Sequence, residues 1–132
     1  VVSNKKINPW KWQDQFGFSQ AIETSGHQRV LRCAGQTAVN GDGEAQHRGD
    51  MGAQMALALD NLETVLKAAD MSLSNVVRLN LYVTDIDASL EHLGPLEQRL
   101  AAAKVQPAMT LLGVARLFDP NLMIEIEADA VA

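Results

Sequence analysis

From residue 51 to about 69, apolar residues recur three or four positions apart. Met55, Leu59, Leu62, Leu66 and Ala69 form one stripe, the period of an amphipathic helix. Asp50 stands just ahead of it, where a carboxylate would meet unpaired amides. The period then changes. Over 75–84, Val77, Leu79, Leu81 and Val83 alternate with Arg78, Asn80 and Tyr82, which predicts a half-buried strand. A second helix is expected over 88–103, with Leu90, Leu93, Leu96 and Leu100 as its stripe and Pro95 marking a first turn or a kink. Strands are expected over 108–115 and 122–130. Ahead of the first helix, 16–23 and 28–34 read as two short strands, with Ser25-Gly26-His27 supplying hairpin-turn chemistry between them. Asn40-Gly41-Asp42-Gly43 marks a loop. Residues 8–15, with Trp10 and Trp12 beside Pro9, read as an irregular arm.

The order is therefore β-β-α-β-α-β-β. This is an α/β (α+β) chain in which two helices cover one face of a mixed sheet. The closing strands show what that arrangement leaves bare. Ile124, Ile126, Ala128 and Ala130 share one face, so Glu125, Glu127 and Asp129 share the other. Met109 and Leu111 alternate with Thr110 and Leu112, so that strand is apolar on both faces. A strand buried on both sides needs a second cover. The chain supplies none, and another copy of itself is the economical one. The uncovered face is expected to be an oligomer interface, on an arm of residues 1–15 followed by a single domain over 16–132.

The length of 132 residues suits one domain with a full core. No apolar run approaches the roughly 20 residues that span a bilayer, and no membrane partner is expected. Lys5-Lys6 is followed by Ile7-Asn8-Pro9-Trp10 rather than by the apolar core of a signal peptide. The first residue is Val1 rather than Met, so an earlier start is expected. Cys33 is the one cysteine, which points to a reducing, cytoplasmic setting. The net charge is −5 with Lys and Arg scattered, and a phosphate backbone needs them clustered. Nucleic acid is not an expected partner. His27, His47 and His92 show no metal-ligand spacing and no Cys-x-x-Cys accompanies them. Neither metal nor cofactor is expected.

Several ordered motifs carry a resemblance. Cys33-Ala34-Gly35-Gln36 follows a strand, and Asp60-Asn61-Leu62 lies in the first helix. Val76-Val77-Arg78-Leu79 leads to Tyr82-Val83-Thr84-Asp85. Pro107-Ala108 opens a strand, and Ile124-Glu125-Ile126-Glu127-Ala128 closes the chain. In this order they resemble the RidA/YjgF family, the reactive-intermediate deaminases, whose members are often labelled endoribonuclease L-PSP. The resemblance implies a chorismate-mutase-like fold, a homotrimer, and ligand clefts between neighbouring subunits. It also implies a catalytic acidic residue at Glu125, which would position water for attack on an imine, and a cleft bordered by the backbone of Gly35. The arginine that holds the substrate carboxylate in deaminating members is replaced by Met109, and a thioether cannot form a bidentate pair with a carboxylate. Ala34 stands for the usual serine and Leu93 for the usual asparagine.

On this reading Glu125 is the acid/base. A carboxylate taken out of water at a subunit boundary suits proton transfer. Phe18, Ser19, Gly35, Gln36, Met109 and Thr110 are the expected substrate-binding residues, with Phe18-Ser19 near the family's aromatic lid. Trp10 and Trp12 either roof a pocket or pack the arm. Cys33 reads as a small hydrophobe. Three functions compete, in this order: a hydrolase or deaminase of a small imine or enamine, a trimer that binds a small metabolite without chemistry, and the nuclease of the family label.

Overall fold

Burial follows the two periods read from the sequence. The computed structural model describes residues 1–132. In chain order its elements are β1 (Ser3–Ile7), a 3-10 helix (Trp12–Phe16), β2 (Ala21–Ser25), β3 (Val30–Thr37), α1 (Met51–Ala68), a second 3-10 turn (Leu73–Asn75), β4 (Val76–Val83), α2 (Ile86–Leu90), α3 (Gly94–Ala102), β5 (Ala108–Gly113) and β6 (Ile124–Val131). Asp50 caps α1, its side chain accepting from Ala53 N at 3.0 Å. Met55, Leu59, Leu62 and Leu66 have no exposed surface, each burial contributing about 1.5–3 kcal/mol. They lie on a four-stranded sheet of order β3-β6-β4-β5, in which β6 is antiparallel to both neighbours and β4–β5 is parallel. The mixed sheet with helices on one face is the architecture expected. No helix is long and apolar enough to cross a membrane.

Four local differences have physical causes. The helix expected over 88–103 is broken into α2 and α3. Pro95 sits in the first turn of α3, where its missing N–H costs nothing, but it cannot continue a helix begun at residue 86. Leu90 is consequently 54% exposed, while Leu96 and Leu100 are buried. In β4 the register shifts between Val76 and Arg78, so Val76 rather than Val77 is buried.

The region before β3 differs most. Trp12–Phe16 is a 3-10 helix closed by Gly17 at φ +74°, and β2 starts only at Ala21. Its partner is β1, from Ser3↔Ser25 to Ile7↔Ala21, a strand whose polar sequence gave no signal. There is no β2–β3 hairpin. Gln28 N and Arg29 N both donate to Ala132 O at 2.8 Å, which carries the chain across to the end of β6 instead.

Two amides, Asn61 half-buried and Gln54 buried, join the loops to this frame. Asn61 Nδ2 donates to Thr37 O at 2.8 Å and Val39 O at 3.0 Å, fixing the point where β3 leaves the sheet. Gln54, with no exposed surface, donates to Asn121 O at 2.8 Å and to Gln46 O and His47 O at 3.2 Å. Its Oε1 accepts from Met123 N at 2.7 Å. Gln54→Leu keeps the volume and strands these backbone groups. Urea unfolding of this variant should show a loss of about 2–3 kcal/mol. A loss below about 0.5 kcal/mol, the scale of an ordinary surface change, would mean that water replaces the amide.

Candidate functional site

Opposite β6, strand β3 carries one extra residue. Cys33 faces Ala128 and Gln36 faces Ile126, so Ala34 and Gly35 form a bulge. The bulge turns Gly35 onto the Glu125 side chain. A Cβ at residue 35 would overlap the Glu125 carboxylate, so a larger residue here would displace that side chain from its present position. Gln36 Nε2 folds back on Ala34 O at 3.2 Å, and Thr37 is the cross-strand neighbour of Glu125. Glu125 thus stands half-buried at the bulge, on the sheet face that the helices leave bare.

The rest of that face is a polar network. Glu127 accepts from Tyr82 Oη at 2.5 Å and from Asn80 Nδ2 at 2.9 Å. The Tyr82 bond, then the Asn80 bond, holds the Glu127 carboxyl below its usual range, and the same contact raises the Tyr82 phenol. Arg78 Nη2 donates to Thr110 Oγ1 at 2.8 Å, and Arg32 pairs with Asp129 at 3.5 Å. Burial, followed by the charge of Asp129, raises the Cys33 thiol, so it is no activated nucleophile.

A second feature lies on the helix side. Between β5 and α3 is a cavity of about 310 Å³. Met109 and Leu111 form its sheet wall, Leu93 and Leu96 its helix wall, and Phe16 and Phe18 its outer wall. The aromatic wall is held from two directions. Ser19 donates to Gln106 O at 2.6 Å, and its N–H donates to Pro107 O at 3.0 Å. Trp12 packs edge-on against Phe16 and Phe18, with ring centroids 6.5 and 5.9 Å apart. Trp12 therefore supports the wall from behind, whereas Trp10 lies outside the lining and is 60% exposed.

The structure thus sorts the residues singled out in the sequence into two groups. Phe18, Met109 and Thr110 line the cavity. Gly35, Gln36 and Glu125 gather at the bulge. Met109 pairs with Leu79 and Tyr82 with Glu125, so Met109 and Glu125 leave opposite faces of one subunit's sheet. Ser19 is buried beside the first group, its hydroxyl spent on Gln106 O rather than open to the cavity. Sequence reasoning missed Phe16, assigned to a strand, and took Leu96 and Leu100 as core only. The available signal was Gly17, a left-handed stop directly after Phe16.

Comparison with known proteins places these features in a family. The family model described as endoribonuclease L-PSP matches residues 13–132. A RutC family protein of Aquifex aeolicus is 30% identical over 114 residues, covering 86% of this chain and 87% of its own length. The mitochondrial protein mmf2 of Schizosaccharomyces pombe is 35% identical over 86 residues, which span 65% of this chain and 64% of the yeast protein. Among solved structures, YyfB of Yersinia pestis, from the conserved Rid protein family, matches with a TM-score of 0.85 at 36% identity over 98% of both chains. A shared fold, a family match over nearly the full length and a relative aligned over most of both chains make one conclusion: the chain belongs to the Rid/YjgF family.

Proposed function

We propose that this chain forms a homotrimer and hydrolyses a small, reactive imine or enamine in a cleft between subunits, on a substrate other than the family's usual imino acids. The observation that carries this reading is the split just described. One subunit offers an apolar cavity without a catalytic group, and its Glu125 stands on the other face of the sheet. Strand β5, which carries Met109, is the edge of the sheet, so a neighbouring copy that covers the bare face and wraps this edge would bring its own Glu125 and Gly35 to the cavity's rim. Leu112, 50% exposed beside Tyr82 on that face, is the apolar group such a copy would cover.

The chemistry asks little of the protein. Water adds to the carbon of the nitrogen-protonated imine while Glu125 takes the water's proton, which gives a neutral carbinolamine. The carbinolamine then breaks its C–N bond, Glu125 returning the proton to the departing ammonia as the carbonyl forms. An enamine enters by protonation at carbon to give the imine. Gly35 contributes the space in which the carboxylate sits. A second reading, a trimer that binds a small metabolite without turnover, draws on the same apolar lining. It differs in one respect, since it gives Glu125 no proton to move.

Sedimentation equilibrium is expected to give a trimer at micromolar concentration. Leu112→Asp should dissociate it, because the variant would bury an unpaired carboxylate, and a stable wild-type monomer would overturn the assembly. On imino acids such as 2-iminopropanoate, ammonia release by the wild type should be poor. Met109→Arg should raise it by about 10- to 150-fold, the worth of one charge-assisted bond of about 1.5–3 kcal/mol, and Glu125→Ala should remove the gain. Efficient wild-type turnover would mean that another residue holds the carboxylate. Filter binding at physiological salt should show no RNA affinity, as a net charge of −5 implies; a salt-sensitive micromolar affinity would revive the nuclease reading.

A further inference from the structure

We infer that the ligand carries an uncharged or cationic apolar body, one to two rings in size, seated between Phe16, Phe18, Leu93 and Met109, and that carboxylates are excluded from this cavity. The inference rests on the reading of the cavity as the ligand site. Size sets the first limit. An apolar cavity of about 150 Å³ accepts benzene, so a volume of about 310 Å³ holds a body of one to two rings.

Chemistry of the walls sets the second. Glu97, in the first turn of α3, is the one ionisable side chain in the lining. An anion would meet its negative charge and find no cation. Thr110 offers no anchor: registered with Asn80, its side chain leaves the bare face, where its hydroxyl accepts from Arg78. Arg78 and Arg32 lie outside the lining, as does Lys6, which donates to Gln106 Oε1 at 3.0 Å. A positively charged iminium or amine, by contrast, has Glu97 at the rim and two phenylalanine rings in the lining. The Met109 thioether is flexible enough to close around rings of different shape. The cavity therefore selects imines derived from apolar amines or ketones over those derived from amino acids.

Matched probes of one ring and different charge test this on the intact chain. Calorimetric titration with benzylamine, benzyl alcohol and benzoate should show the amine and the alcohol binding, and benzoate about tenfold weaker or worse. Phe18→Ala should weaken the amine and the alcohol together with the oligomer unchanged. Glu97→Gln should narrow the gap between amine and benzoate. Benzoate binding as tightly as benzylamine, no binding of any ring compound at millimolar concentration, or binding indifferent to Phe18→Ala would each overturn the inference. Catalysis is read separately, as ammonia released from phenylmethanimine generated in the assay. Ring binding that survives in Glu125→Gln while release is lost supports both readings. Ring binding with no release in the wild type keeps the ligand class and removes the hydrolase. Turnover of carboxylate-bearing imines with no ring binding keeps the hydrolase and removes the ligand class.

Discussion

Strand β6 hydrogen-bonds to β3 on one side and β4 on the other, and its two faces dictate where everything else must go. Ile124, Ile126, Ala128 and Ala130 are at most 3% exposed, which is achieved with α1 laid over them. The same alternation sends Glu125, Glu127 and Asp129 to the opposite face. A one-residue slip in register would place three carboxylates under α1, each several kcal/mol worse than an aliphatic side chain there. The register of the central strand is thus among the strongest constraints in the molecule. Both features of the candidate site hang from it: the β3 bulge meets β6 beside Glu125, and β5 reaches its place through β4.

The departures from the family's usual residues are coherent once placed in three dimensions. Met109 and Leu93 are far apart in the chain, yet they line one cavity, and each stands where a polar residue is usual. A guanidinium there would stand among phenylalanines and leucines with only the rim carboxylate of Glu97 beside it. Loss of the arginine and loss of the amide fall in one apolar lining, which is the basis of the ligand class inferred above. Glu125 and Gly35 are kept on the other face. The proton-transfer half and the ligand half of the proposed site can vary independently because different faces of the sheet carry them.

Buried and half-buried polar groups do the positioning. Gln54 holds the segments before α1 and before β6, Asn61 holds the exit of β3, and Ser19 holds the aromatic wall to the start of β5. None touches the cavity's interior. Each satisfies backbone groups that no strand or helix can reach, which is why amides and hydroxyls occupy buried positions in a mostly aliphatic core.

Reading the chain by itself determined the periodic parts. The stripe of α1, its Asp50 cap, the alternation of β4 and β6, and the helices on one face all follow from side chains repeating every 3.6 or every 2 residues, a property local enough to be seen in the sequence. The ordered motifs carried the family, and with it Glu125, Gly35 and Met109 as residues to examine. What the tertiary structure decided is non-local. Strand β1 exists because β2 offers it a partner, β2 and β3 part because Ala132 captures the intervening amides, and Val76 replaces Val77 in the core because a bulge consumes one residue. The assignment of Met109 and Glu125 to opposite faces belongs to the same class. It depends on how β5 and β6 are each registered against β4, and a hydrogen-bond register between strands is written in neither strand alone.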